Sequence, residues 1–469
     1  MRTIPSILIV AACGSSPGVT PRDDKPIAQV PAVRPQPGAD LDGAVPAPTK
    51  GTRKAHGAVA PVDFASDRSP VTVKAPAPPR GGAATFTFAD ANGGDERRGW
   101  VARIPEANQL PSVAYGNGRI YVSGGFESVS FYALDSEEGR VLWSSQNLED
   151  NGPTAPIYED ENVIFNTESC TLFVMDAQTG RKKWFKFLGD PTLSQPAAAD
   201  GLIFAQHPGG TGAELSAYRT KNGNTVWTRT VDGELLAAPV IHGDSVYVST
   251  IGGSTYRFER ATGKRVWQKR LQATSAPWVV GDELFLARRG KGVEEQIVVA
   301  AADGKLLRTH RNTKADYLAD VPTSLGDWKK VWAFEGSRPV IADGTRYEAM
   351  GGIVQASDAT SGEAFWSRRY AKGEGKRSTG TVVVAGPQVV LATRDGKLFG
   401  LDVDTGYTLW SYDLGRPVVA QPIVAKGWVY VTTVDGTILG LDVADPTLDG
   451  WHMWGGNPQH DGLVAKPAV

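Results

Sequence analysis

The chain has 469 residues, 41% of them hydrophobic, and a formal net charge of −2 from 49 Lys plus Arg against 51 Asp plus Glu. That balance offers no global attraction to phosphate backbones or anionic membranes, so nucleic acid is not an expected partner. Two cysteines cannot build a disulfide framework or a four-thiolate zinc site within the chain, and no apolar run reaches the roughly 18 residues of a membrane-spanning helix.

The chain begins Met1-Arg2, runs apolar from Ile4 to Val10, and reaches small residues at Ala11-Ala12 before Cys13. This order predicts a secretory signal over residues 1–12. A cysteine directly after the small residues resembles the bacterial lipobox. The resemblance implies that Cys13 is the lipidated first residue, anchored by acyl groups in the outer membrane and facing the periplasm. Between Gly14 and Asp95 fall 13 of the 31 prolines and no Trp or Tyr. Such a stretch cannot bury enough apolar surface to offset its ordering entropy, so residues 13–95 are expected to be a disordered, partly polyproline tether.

From Trp100 onward the sequence repeats. The frame Asp-x3-Gly-x3-Trp recurs as Asp135/Gly139/Trp143, Asp176/Gly180/Trp184, Arg219/Gly223/Trp227, Glu259/Gly263/Trp267, Asp358/Gly362/Trp366 and Asp402/Gly406/Trp410, with a degenerate copy at Ala300/Gly304/Arg308. Successive glycines are 41, 43, 40, 41, 58 and 44 residues apart, the period of a four-stranded propeller blade. Between frames lie β-branched runs such as Ser245-Val-Tyr-Val248 and Trp428-Val-Tyr-Val431, bounded by turn residues, without helical spacing of comparable length. In each frame Asp can bond nearby amides and Gly can supply a positive φ. The Trp then projects from the next strand to pack on the neighbouring blade, where its indole N–H needs a partner. Pro156, Pro196, Pro239, Pro277, Pro339 and Pro422 open the strand before the valine-rich one, as suits an innermost strand with one free edge.

The last set of strands ends at Asp442, Pro446 takes the glycine slot, and no frame follows. Trp100 precedes Trp143 by one period, so Gly99 to Ile104 is expected to complete the last blade. The expected fold is all-β: an eight-bladed propeller of four-stranded antiparallel blades over residues 96–445, closed by an N-terminal strand. The 58-residue interval places an insertion within 309–335, with Trp328 and Trp332, packed on the disc. Residues 446–469 are expected to pack on the propeller as a tail.

The repeated Leu-Asp-x3-Gly-x3-Trp with following Val-Tyr-Val strands, as at Leu134 to Trp143 and Leu401 to Trp410, resembles the PQQ-like β-propeller repeat superfamily over about residues 97–445. That superfamily includes quinone-dependent dehydrogenases and the non-enzymatic outer-membrane assembly lipoprotein of the BamB type. The dehydrogenases carry a vicinal cysteine pair and a calcium held by Glu, Asn and Asp; here Cys170 stands without an adjacent cysteine and no haem-binding Cys-x-x-Cys-His occurs. The six histidines show no metal or nucleophile spacing. No catalytic, metal or cofactor residue is therefore assigned.

What remains is the loop face. Loops after second strands and after Trp strands are expected to share one rim, with Glu127, Glu149, Asp150, Glu168, Asp190, Asp232 and Glu234 on blades one to four. Blades five to eight offer Arg288, Arg289, Lys291, Lys372, Lys376, Arg377, Arg394 and Arg416, with Asp320, Asp395 and Asp435 as exceptions. Of these, Glu127, Glu168, Arg288, Arg289, Arg394 and Arg416 are the candidate partner-binding residues. The expected function is a lipid-anchored, monomeric envelope scaffold that binds envelope proteins, among them a membrane barrel, through this face. The alternative is a periplasmic quinone- or metal-dependent oxidoreductase, or a small-ligand binder, using the central funnel.

Overall fold

The computed structural model describes residues 62–63 and 69–462, apart from short gaps and the segments 190–194, 291–292, 312–339, 371–381 and 453–456. All of them belong to the unit Ala47–Val469. Residues 1–61, including the signal segment and Cys13, lie outside the described residues, as do Trp328 and Trp332 of the expected insertion.

Every regular element among the described residues is a strand, and the strands form eight sheets. Seven blades are consecutive four-stranded meanders at residues 114–145, 157–187, 197–231, 240–270, 278–311, 340–369 and 383–413, numbered one to seven below. Blade eight combines three C-terminal strands within 423–442 with Glu96–Arg103, which pairs antiparallel to Thr437–Asp442 with Trp100 opposite Gly440. The expected closure is thus observed. The short innermost strands touch their neighbours around the ring, and Ile423–Ala425 meets Ala114–Gly116 across the closing seam.

The frame works as its residue types require. In each of the seven hairpins the glycine N–H donates to the carbonyl of the first frame residue, at 2.8 or 2.9 Å: Gly139 to Asp135, Gly180 to Asp176, Gly223 to Arg219, Gly263 to Glu259, Gly304 to Ala300, Gly362 to Asp358 and Gly406 to Asp402. These glycines sit at φ between 66° and 78°, left-handed backbone that costs other residues about 1–2 kcal/mol. Asp135, Asp176, Asp358 and Asp402 accept the intervening amides through Oδ1. One strand bulges beside every frame glycine.

The tryptophan then joins one blade to the next. Its indole N–H donates to the carbonyl that follows the first frame residue of the next blade. The bonds run from Trp100 to Ser136, Trp143 to Ala177, Trp184 to Thr220, Trp227 to Arg260, Trp267 to Ala301 and Trp366 to Val403, at 2.7 to 3.1 Å. The ring covers the next frame glycine so closely that a Cβ would overlap it, on Gly180 against Trp143, on Gly263 against Trp227 and on Gly406 against Trp366. Gly304 belongs to the degenerate frame, yet it is covered in the same way: a Cβ there would stand 2.7 Å from the Lys269 side chain and 3.0 Å from the Trp267 ring. The degenerate frame has therefore kept the glycine that receives a ring, while Ala300 replaces the first frame residue's polar side chain and Arg308 replaces the ring it would send on.

Two joints differ. Arg308 replaces tryptophan on blade five and forks onto Glu283 at 2.6 Å through both Nη atoms, leaving the His310 ring against Gly362. Across that seam Arg346, 1% exposed, lies 3.6 Å from Glu348, which also accepts a bond from Gln296. Trp410 donates within its own blade, to Gln388 Oε1 at 2.7 Å.

The N-terminal segment departs from expectation where it is described. Val62–Asp63 pairs parallel with the outer strand of blade six, Val71–Thr72 parallel with that of blade seven, and Ala83–Ala89 antiparallel with Glu96–Arg103 of blade eight. Residues 83–89 are therefore not part of a disordered tether: Ala-Ala-Thr-Phe-Thr-Phe-Ala alternates as a strand, and Phe88 is buried edge-on against Tyr412, 5.2 Å between centroids. At the other end, Gly450–His452 adds to the inner edge of blade seven. Beyond it, Gln459 O accepts from Tyr158 N–H and Gly462 O from Ile241 N–H. These amides belong to the inner strands of blades two and four, so the tail lines the axial channel.

Replacing Gly180 with Ala both strains φ and drives a methyl into Trp143. We expect G180A to lower stability by about 2–4 kcal/mol, measured by urea unfolding, whereas G118A, at φ 70° with nothing within 4 Å of the added methyl, is expected to cost only about 1–2 kcal/mol.

Candidate functional site: the loop rim

The two classes of loop form one rim because they bond to each other. After second and fourth strands the chain leaves the sheet on the same side, and backbone bonds tie the turns together. Gly152 N–H donates to Ser128 O, Leu188 to Cys170, Ile251 to Glu234, Thr274 to Ala287, Tyr370 to Gly352, Leu414 to Gly396, and Ile104 to Gly436. These bonds satisfy loop amides that would otherwise be orphaned near the core. The repeat glycines Gly139, Gly180, Gly223, Gly263, Gly304, Gly362 and Gly406 follow third strands instead. They occupy the opposite ends of the blades, where they hold the joints and take no part in the rim.

The structure brings Glu127 and Glu168 together at the seam of blades one and two. Glu127, at φ 61°, donates its N–H to Glu168 Oε1 at 3.2 Å. Asp150 stands beside them and accepts from Thr167 Oγ1 at 2.7 Å. Gly152, at φ 64°, is packed so tightly that a Cβ there would overlap the Glu168 carboxyl. Burial pushes the Glu168 carboxyl up to about 7; the Glu127 N–H opposes this, and the charges of Glu127 and Asp150 add to it. Glu149 reaches outward to Lys182 at 3.2 Å. Further round, burial raises Glu234. For Asp232 burial acts in the same direction, but hydroxyls of Ser254, Thr250 and Tyr256 outweigh it and hold that carboxyl below its ordinary value.

The arginines are not brought together. Arg288 lies opposite Glu295 in a cross-strand register and donates to it through Nε at 2.7 Å. Arg416 binds Asp435 at 2.9 Å, and Asp435 in turn lies below its ordinary value; burial opposes that shift, and Thr433, Thr437 and Arg416 produce it. Arg394 is half-buried in the turn after the second strand of blade seven. Arg289 is in the strand Glu283–Gly290, and nothing is described of its side chain. Asp190, Lys291, Asp320, Lys372, Lys376 and Arg377 lie outside the described residues. The expected basic half of the rim is thus offset at Arg288 by a carboxylate opposite it in strand register and at Arg416 by one in a turn of the next blade, pairings that residue counting could not reveal.

The described residues do not supply the donor set for a quinone with calcium. Among the described residues no group of three or more His, Cys, Asp or Glu could hold a metal ion, and Cys170 is buried under the Glu168 turn at φ 65°. One arrangement resembles hydrolase geometry: His207 Nε2 lies 2.7 Å from Ser216 Oγ, and His207 Nδ1 lies 3.9 Å from Glu214. Ser216 is 0% exposed and shares its hydroxyl with Thr228, so it is a cross-strand link and not a nucleophile.

Eight four-stranded blades, six of whose joints are tryptophan docks, with the last blade completed by an N-terminal strand, define a β-propeller of the PQQ-like repeat class. A sequence model described as outer membrane protein assembly factor BamB matches residues 85–191, 186–325 and 350–460, and the chain belongs to this family. The assembly factor BamB of Yersinia pestis is 21% identical over 358 residues, covering 72% of this chain and 74% of that protein. BamB of Escherichia coli (strain K12) is 27% identical over 313 residues, covering 61% and 73%. Among solved structures, BamB from Moraxella catarrhalis aligns at a TM-score of 0.56 and 16% identity, over 76% of this chain and 98% of that one. The quinohemoprotein alcohol dehydrogenase ADHIIG from Pseudomonas putida HK5 aligns at 0.53 and 14%, over 79% and 77%. At such identities the structural likeness shows the fold alone.

Glu168 gives the rim a pH dependence. With its carboxyl at about 7 against an ordinary 4.5, the native state binds more protons than the unfolded state between those values. Stability therefore falls as pH rises from about 4.5 to about 7. Solvent screening of this half-buried group limits the effect to about 1 kcal/mol. E168Q is expected to flatten that part of the profile, read from urea midpoints at pH 5 and pH 8.

Proposed function

We propose that the chain is a non-enzymatic assembly scaffold of the cell envelope that binds other envelope proteins, a membrane barrel among them, through the loop rim. Cys13 serves as its lipid anchor at the periplasmic side of the outer membrane. The observation that supports this reading best is the rim itself, whose described turns are bonded to one another and whose carboxylates gather at Glu127, Asp150 and Glu168. Family membership agrees with it, since the relatives are named as outer membrane assembly factors. An acidic, preorganised loop surface favours capture and orientation of a basic patch over chemistry on a small substrate. A metal- or quinone-dependent reaction finds no donor set among the described residues.

Cross-linking in cells that carry the chain with Cys13 intact, followed by affinity capture from membranes, is expected to recover a barrel protein. E127K is expected to reduce recovery without lowering the unfolding midpoint, and C13S to move the chain out of the membrane fraction. Capture of no envelope protein, or stoichiometric uptake of quinone and calcium, would overturn this reading.

A further inference from the structure

The outer strands of the eight blades can be compared position by position from the docking tryptophan. On blades six, seven and eight an added strand from the N-terminal segment covers the outer edge. The residue after the tryptophan is there buried: Ser367 at 3%, Ser411 at 4% and Val101 at 0% exposure. On the other five blades no added strand is present among the described residues. Four of these are polar one and three positions after the tryptophan or its arginine substitute: Ser144 and Gln146, Thr228 and Thr230, Gln268 and Arg270, Thr309 and Arg311. Polar side chains are how proteins protect an open strand edge from unwanted pairing.

Blade two departs from the others at these two positions. They are Phe185 and Phe187, exposed by 51% and 68%. The same outer strand nevertheless carries Lys182, Lys183 and Lys186, and Lys182 Nζ lies 5.0 Å from the Phe185 ring centroid. Phe185 is the outer rung of a stacked ladder: Phe131 to Phe165 at 4.5 Å, Phe165 to Phe173 at 5.3 Å, and Phe173 to Phe185 at 5.7 Å. The ladder runs from the core to an open strand edge. The cations beside it are engaged: Lys182 on Glu149 at 3.2 Å, Lys183 on Asp176 at 3.4 Å, and Lys186 on Gly223 O at 3.3 Å. At the rim end Leu188 N–H holds the carbonyl of Cys170, two residues from Glu168, so the edge runs up to the carboxylates of Glu168, Asp150 and Glu127.

We propose that the outer edge of blade two is a second docking site, which takes an extended segment of another protein as an added antiparallel β-strand. The occupant carries apolar residues at alternating positions against Phe185 and Phe187 and a basic residue at its N-terminal end, which an antiparallel strand places at the acidic rim. The chain itself demonstrates the mode: the longest added strand, Ala83–Ala89, is antiparallel and alternates Thr with Phe over blade eight. Main-chain bonds supply affinity and the alternating side chains supply selectivity. The proposal stands independently of whether the rim binds a barrel.

The probe is the synthetic peptide Lys-Arg-Thr-Val-Thr-Val-Thr, added to the full chain. It is expected to slow hydrogen exchange of the amides of residues 182–187, and F185S/F187Q to weaken binding at least about tenfold. That variant installs residue types like those of blade one, so its unfolding midpoint should fall only by the loss of one half-exposed ring contact with Phe173, about 1 kcal/mol, and the chain should stay folded under the binding conditions. Replacing Lys-Arg in the peptide by Glu-Asp is expected to weaken binding about threefold. Three results overturn the proposal: exchange unchanged by peptide; affinity unchanged in F185S/F187Q; or no peptide binding while Phe185 and Phe187 support self-association in sedimentation or flotation with anionic vesicles.

Discussion

The ring is held by a repeated contact between an indole and an absent side chain. Each docking tryptophan needs a flat place on the next blade, and only a residue without Cβ, held at positive φ by its own hairpin, leaves room for it. The N–H then finds the carbonyl on the far side of that hairpin. Ring burial with one satisfied hydrogen bond contributes on the order of 2–4 kcal/mol per joint, but its structural consequence is larger. A blade cannot seat its outer strand until the next blade has formed its turn, so neighbouring repeats depend on each other. Where the tryptophan is lost at blade five, charge takes its place, in the partly exposed pair Arg308 with Glu283 and the buried Arg346 with Glu348. Removing one member of the buried pair costs more than the pair contributes, because the survivor stays buried without compensation.

A propeller closes in one direction only, and every blade keeps an inner and an outer edge. This chain covers several of both with its own ends. The inner edges of blades two, four and seven bond to the C-terminal tail. The outer edges of blades six to eight bond to three pieces of the N-terminal segment, one after another in ring order. Two of those pieces pair over only two residues, so their contribution is small beside that of the seven-residue strand Ala83–Ala89.

The blade joints were legible in the sequence because all their determinants sit within nine residues. Asp135, Gly139 and Trp143 state a turn, a conformation and an anchor, and 43 residues before Trp143 the same anchor at Trp100 announces the closure. The edge strands were not legible. Ala83–Ala89 alternates correctly, but it lies among prolines, and nothing local says that its partner is Glu96–Arg103 and its neighbour Tyr412. The rim failed in a similar way. Arg288 and Arg416 read as free positive charge in one dimension, whereas strand register sets Glu295 against Arg288 and a turn of the next blade sets Asp435 against Arg416. Long-range pairing decides which charges survive folding, and a linear count cannot supply it.

That neutralisation changes the character of the rim. A face with opposed halves would orient a partner through its dipole; among the described residues Arg288 and Arg416 are offset, while the carboxylates of Glu127, Asp150 and Glu168 gather at one seam. The field of such a cluster reaches about 8–10 Å at physiological salt, so its effect is confined to the neighbourhood of blades one and two. Glu168 sits at the centre of that cluster with a carboxyl near 7, so the cluster loses charge as the surroundings turn acidic. That charge depends on the burial of one carboxyl against Gly152, where an added Cβ would overlap it.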